Sequence, residues 1–255
     1  MNIKAASKYQ LKDYIKSLKI YYLVILLVII FFTLLDKVWG GGGNGSYNGF
    51  EVTTAIFLFI CGLNSFKITF LMMIQNGVSR KSMFISNAIS ILTASFLMAV
   101  LDRIMLLLVN TIGNAIGGIS YNGLFDALYG YRLDSHNSFN SFVVQLEIIL
   151  ATWMVYIVAT VAGYFITTLY YRMNTTLKVI VSVGVPASVL FIMPLLDSLI
   201  FKGKISTFLD KLVYFILRGS DGSPKPYNLI LLCLLGSIIA LGLSWLLVKR
   251  AVDKN

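Results

Sequence analysis

The sequence predicts an all-α polytopic membrane protein with six transmembrane helices. Of its 255 residues, 58% are hydrophobic and only 13% are charged, and the mean hydropathy is +0.82. The apolar residues also gather into six stretches close to the ~20 residues that a helix needs to cross a bilayer. A water-soluble domain of this composition would leave much apolar surface facing water, so lipid is the natural solvent.

The six stretches are Ile20–Leu35, Val52–Ile74, Ser82–Val109, Phe142–Tyr171, Val179–Phe201 and Tyr227–Val248. Together they make one transmembrane domain over residues 20–248, preceded by residues 1–19 and followed by a tail, 249–255. The first stretch is short, but Lys19 can extend its aliphatic stem outward, and Tyr21, Tyr22 and Trp39 suit the two membrane interfaces. It is followed by Asp36-Lys37-Val38-Trp39 with no small-residue cleavage pattern, so it is expected to stay in the mature protein.

Six crossings put both termini on one side, and basic residues identify that side as the cytoplasm. Lys4, Lys8, Lys12, Lys16, Lys19, Lys67, Arg80, Lys81, Arg172, Lys178, Lys249, Arg250 and Lys254 make 13 on the side of the termini, against 8 on the other. Within residues 1–19, Lys4, Lys8, Lys12 and Lys16 recur every fourth position, while Ile3, Leu11, Tyr14, Ile15 and Leu18 supply apolar surface. This pattern predicts an amphipathic helix on the cytoplasmic leaflet; a solvated basic tail attracted to anionic lipid is the plainer alternative. Between spans five and six, Ile205, Phe208, Leu209, Leu212 and Ile216 follow a helical spacing and predict a short external amphipathic helix. The segment Asn110–Ser141 reads as a long polar loop.

Few residues suggest covalent chemistry. Gly40-Gly41-Gly42-Gly43-Asn44-Gly45 matches a dinucleotide-binding spacing but lies in an outer loop rather than between a strand and a helix. No phosphate-cradling G-x-x-x-x-G-K-[ST] run occurs, so any use of ATP must pass through a partner. His136 is the only histidine, and Cys61 and Cys233 sit in apolar runs without metal-ligand spacing. The net charge of +10 is spread beside hydrophobic runs rather than in a basic patch with interleaved aromatics, which argues against nucleic acid as a partner. The expectation is therefore a non-catalytic chain that binds no cofactor and no metal of its own.

Charges near the spans have definite expected positions. Asp102 follows Lys81 by 21 residues, about 32 Å of helix at ~1.5 Å per residue, which puts Asp102 and Arg103 at the outer interface without need of burial. Glu147 and Asp197 fall near outer ends as well. Lys67 is then the deepest charge, snorkelling inward or lining an inward-facing cavity. Asn64, Lys67 and Asn87 are candidates for a pathway lining, with helix-to-helix hydrogen bonds as the other reading of all three. The absence of a chain of intramembrane carboxylates weakens an ion-coupled carrier. Small residues four apart, Ala159 with Gly163 and Gly236 with Ala240 and Ser244, predict close helix seams within the chain, with oligomer contacts as the alternative, and Pro186 and Pro194 predict a kinked fifth span.

The link between spans two and three reads Gln75-Asn76-Gly77-Val78-Ser79-Arg80-Lys81. Gly77 can take positive φ and reverse the chain, Ser79 can cap the next helix, and Arg80 and Lys81 are donors for a cytosolic surface. This link resembles the Asn-Gly-(Val/Ile)-Ser-Arg-Lys turn of small bacterial ABC-2 type transporter permeases, especially six-span subunits of Gram-positive bacteria. As sequence the resemblance is specific over about fifteen residues, and as layout it covers the chain. It implies that Gln75–Lys81 form or adjoin a coupling helix resting on separate ATP-binding subunits, two copies of which bind ATP and Mg. It also implies a second permease subunit, as homo- or heterodimer, in the cell membrane. The expected function is export of an amphipathic or antimicrobial peptide, or of a lipid or drug-like cargo. A non-transport membrane protein, such as a sensor partner or assembly factor, and an ion-coupled carrier are the alternatives.

Overall fold

The computed structural model describes residues 3–39, 46–116, 120–129, 138–218 and 226–249. Its architecture is all-α and polytopic, with six helices long and apolar enough to cross a membrane: 3–35, 50–75, 80–111, 142–172, 175–199 and 226–249. The helical elements are α1 (Ile3–Trp39), α2 (Phe50–Asn64), α3 (Lys67–Gln75), α4 (Arg80–Ile116), α5 (Leu124–Tyr129), α6 (Ser138–Arg172), α7 (Thr175–Ala187), α8 (Met193–Leu199), α9 (Lys204–Arg218) and α10 (Pro226–Lys249). The connection between α3 and α4 marks the turn end of the bundle. The opposite end carries two short strands, β1 (Ser46–Asn48) and β2 (Ser120–Asn122).

α6 is the central helix, packed on α2, α10 and α4, while α1 lies along α4. The approach of α2 to α6 is set by two glycines. A β-carbon on Gly62 would overlap the Thr160 carbonyl, and one on Gly163 would overlap the Phe59 carbonyl and lie 2.9 Å from the Leu63 nitrogen. Backbone therefore meets backbone, which replaces the missing hydrophobic drive between helices in lipid with dense van der Waals contact. One side-chain bond crosses the same region, Thr167 Oγ1 donating to the Leu63 carbonyl, and farther along α6 Trp153 Nε1 donates to the Leu92 carbonyl on α4 at 3.1 Å. The seam expected at Gly163 is thus internal to the chain. On α10, Ser244 is buried and Ala240 packs on the core, but Gly236 faces open space.

The expected amphipathic segment and the first span form one continuous helix. In its first five turns Ala6, Gln10, Tyr14 and Leu18 are buried, while Lys4, Lys8, Lys12 and Lys16 are exposed. The two stripes are out of step by two residues, about 200° on a helix, and so occupy opposite faces. The apolar side of the early helix thus packs on protein. Farther along, Leu23, Val24, Leu27 and Phe31 are exposed, as a span facing lipid requires.

Span two is interrupted, which its hydropathy alone did not indicate. Asn64 Nδ2 donates to the Ile60 carbonyl at 3.1 Å, and Ser65 Oγ and its backbone N–H both donate to the Gly62 carbonyl. These local bonds compete with the α-helical ladder and end α2, and α3 restarts at Lys67. Span five carries a π-helical turn, residues 188–192, between Pro186 and Pro194. Proline cannot donate to the ladder, and the turn widens there, in agreement with the expected irregularity. Nearly all of this span's side chains are exposed, apart from Asp197.

The long polar loop expected over 110–141 is partly ordered. Ser46-Tyr47-Asn48 pairs in parallel and in register with Ser120-Tyr121-Asn122, and Asn110 both donates to the Tyr121 carbonyl and accepts from its N–H. The predicted external helix is α9, whose N-terminal N–H groups at Ile205 and Ser206 are held by the Asp197 carboxylate at 2.8 and 3.0 Å. Tyr129 Oη and Asn228 Nδ2 donate to its carbonyls at Ile216 and Phe215.

Gly163→Leu is expected to destabilise the protein by about 3 kcal/mol, because neither backbone can yield. Gly236→Leu, facing open space, is expected to change little. Unfolding in mixed detergent micelles, followed by circular dichroism, gives both values.

Candidate functional site

The link singled out in the sequence is built as a tight helix stop. Gly77 has φ of 69° with no heavy atom within 4 Å of a β-carbon there, so only its backbone conformation demands glycine. Its N–H donates to the Ile74 carbonyl at 2.9 Å, and the Val78 N–H reaches back to Met73 at 2.9 Å. These two bonds make a Schellman stop, and its usual apolar contact is present because Val78 and Met73 are both buried in the core. Ser79 Oγ accepts the Ser82 N–H at 3.2 Å and starts α4. Arg80 donates to the Lys249 carbonyl at 2.9 Å, joining the start of α4 to the end of α10. Gln75, Asn76, Gly77, Ser79, Arg80 and Lys81 are exposed. Val78 differs from the other six: it is only 5% exposed and works as the anchor of the turn rather than as part of its surface.

A second arrangement lies beside the break in span two. A cleft of about 390 Å³ opens between α1, the α2–α3 junction and α4. Its mouth is exposed at Asp13 and Lys16, and its floor is buried at Gln10, Tyr14 and Asn87. Asn64 and Asn87 both border it, so the structure brings these two predicted pathway residues together from different helices. Lys67 does not border the cleft; it is exposed at the first turn of α3. Of the floor groups, Gln10 is satisfied, accepting from Ser86 Oγ at 2.8 Å and donating to Met73 Sδ. Neither polar atom of Asn87 has a hydrogen-bond partner, nor has the Tyr14 hydroxyl.

Near the strand end the structure corrects the expectation for Asp102 and Arg103, which are buried, at 0% and 8% exposure. Tyr22 Oη donates to Asp102 Oδ1 at 2.7 Å and Tyr156 Oη donates to Oδ2. Arg103 Nε donates to Gln145 Oε1 at 2.6 Å, and its guanidinium lies 3.6 Å from Asp126 Oδ2. Glu51, buried at the start of α2, accepts the Leu124 N–H and so holds the start of α5. Distance along α4 carried no information on the surroundings: Tyr22 of α1 and Tyr156 of α6 close over Asp102. Glu147, intermediate in exposure, accepts from Tyr227 Oη.

Sequence reasoning counted Tyr14 and Leu18 as apolar surface but passed over Ala6 and Gln10, which complete a four-residue stripe with them opposite the lysines. It also passed over Glu51, whose role depends on the distant Leu124. Among the described residues no three His, Cys, Asp or Glu come together as a metal site. His136, the glycine run 40–45 and the tail 250–255 lie outside the described residues.

Arg103→Ala leaves Asp126 and Gln145 without their partner and is expected to cost about 3 kcal/mol. Arg103→Lys is expected to recover only part of this, since it loses the Nε bond. Denaturant midpoints of the purified variants measure both. No protein-family model matches this chain, and no similar curated protein or solved structure was found.

Proposed function

We propose that the chain is the transmembrane permease subunit of an ATP-driven exporter, in which two separate ATP-binding subunits drive a pair of permease subunits. The single observation that carries this reading is the turn at residues 75–81. Its buried anchors, Met73 and Val78, belong to the bundle core, and its exposed donors, Arg80 and Lys81, face away from that core. A push on such a turn is transmitted in two directions. It reaches α3 through the Schellman bonds, and it reaches α4 and α10 through the Ser79 cap and the Arg80–Lys249 contact. The break at Ser65 makes α3 a short lever beneath α2. On this reading ATP and Mg belong to the partners, and the chain catalyses no covalent step.

In this orientation the turn, both termini and the lysines of α1 face the cytoplasm, in line with the distribution of basic residues. The cargo is an amphipathic or antimicrobial peptide, or a lipid or drug-like molecule, taken from the cytoplasm or from the membrane. The cell membrane of a Gram-positive bacterium is the proposed location.

One observation favours a second reading, an ion-coupled carrier. Asp102 is buried within a span, and Glu51, Arg103 and Asp126 gather near it; intramembrane ionisable groups commonly mark ion or proton paths. Their direct partners are tyrosines, a glutamine and backbone N–H groups of the same fold, which a purely architectural role explains equally well.

The double variant Gly77→Val, Arg80→Ala is expected to lose a co-purifying ATPase and its cargo-stimulated hydrolysis while remaining folded by circular dichroism. Retention of both by the folded variant rejects docking at this turn. Transport that survives inactivation of the ATPase but collapses with the ion gradient selects the carrier.

A further inference from the structure

The cleft between α1, the α2–α3 junction and α4 has a feature that packing does not require. Asn87 is 3% exposed, yet neither its Nδ2 nor its Oδ1 has a hydrogen-bond partner. The Tyr164 hydroxyl is its neighbour, but that oxygen too is outside hydrogen-bonding geometry. Across the floor the Tyr14 hydroxyl, 7% exposed, has Ser65 for a neighbour, but it too is outside hydrogen-bonding geometry. An unsatisfied buried polar group is costly, and these lie in one small region that opens to the surface. Asp102 and Arg103, buried toward the strands, have their partners, and so does Gln10 on the floor itself.

The chemistry of the vacant positions narrows what completes them. A carboxamide presents one donor edge and one acceptor edge, and the group that matches both at once is another amide. Charged ligands find no buried countercharge on the floor, because Asp13 and Lys16 stand at the exposed mouth with opposite signs. Ile20 and Ile68, both largely exposed, extend the cleft with apolar surface. We propose that the cleft at Tyr14 and Asn87 binds the uncharged amide of an amphipathic molecule, with its apolar part lying along Ile20 and Ile68. This assigns a ligand chemistry to the cargo side of the proposed exporter and rests on that reading only for its place in transport; binding itself needs no ATPase.

Cys61 borders the same cleft, and Cys233 lies outside it on α10, so the native cysteines report occupancy. The purified full chain in lipid nanodiscs is treated with a small maleimide, and alkylation at each cysteine is followed by mass spectrometry. N-dodecanoylglycinamide is expected to slow alkylation of Cys61 and leave Cys233 unchanged. Methyl dodecanoate, which keeps the chain and an accepting carbonyl but lacks the N–H, is expected to protect weakly. Asn87→Leu is expected to raise the half-protecting concentration about tenfold, with a shift in the same direction in Tyr14→Phe. Because Asn87→Leu changes shape in the core, Tyr14→Phe decides the matter if the first variant loses helicity. Protection by N-acetyl-leucyl-leucinamide as well assigns the amide to a peptide; protection by the acyl glycinamide alone assigns it to an amide-linked lipid. Equal protection by the methyl ester, protection unchanged in Tyr14→Phe, or no protection by either amide overturns the proposal. Loss of ATPase docking with Cys61 protection intact rejects the exporter and leaves the amide site standing.

Discussion

The backbone contact between α2 and α6 at Gly62 and Gly163 determines where everything else sits. In lipid, two apolar helices gain nothing from excluding each other's solvent, so close approach needs surfaces without side chains between them. The crossing supplies this and brings Thr167 against the Leu63 carbonyl, just before the end of α2. The helix is therefore held firmly up to Gly62 and released at Ser65. α3, with its stacked Phe66 and Phe70 lying against Tyr171 of α6, follows as a separate piece.

From that crossing the two ends of the molecule differ in character. Toward the strands, charged and hydroxyl groups are buried but paired, and the pairs join α1, α2, α4, α5 and α6 into a stiff cap. Glu51 reaches the start of α5, Asp102 gathers tyrosines from α1 and α6, and Arg103 joins α4 to α6. Toward the turn, the links are a Schellman stop, a serine cap, the arginine on the Lys249 carbonyl, and the bonds of Gln10 to Ser86 and Met73. The cleft at Asn87 lies on this side, next to the break.

Much of the architecture was legible in the residues. Hydropathy located all six long helices, and the spacing of Ile205, Phe208, Leu212 and Ile216 identified α9. The positive-φ glycine and serine cap around residues 77–79 followed from residue type alone, because local backbone chemistry decides them. The strand pairing was also within reach, since Ser-Tyr-Asn-Gly occurs twice, at 46–49 and 120–123, and the two copies are what pair. A three-residue strand, however, carries no periodic signal by which to notice it.

By itself the sequence determined the properties that depend on solvent preference and neighbouring residues: helix content, number of spans, the turn at Gly77 and the lysine stripe of α1. Only the tertiary structure decided which polar groups are buried and whether they are paired. Distance along a helix placed Asp102 at a plausible interface height, but α1 and α6 cover it from positions 80 and 54 residues away in the chain. The same is true of Val78, which faces the core rather than a partner, and of Asn64 and Asn87, which share a cleft that Lys67 does not. Burial and partnership are properties of packed helices, and long-range packing in an apolar solvent leaves little trace in the local pattern of one chain.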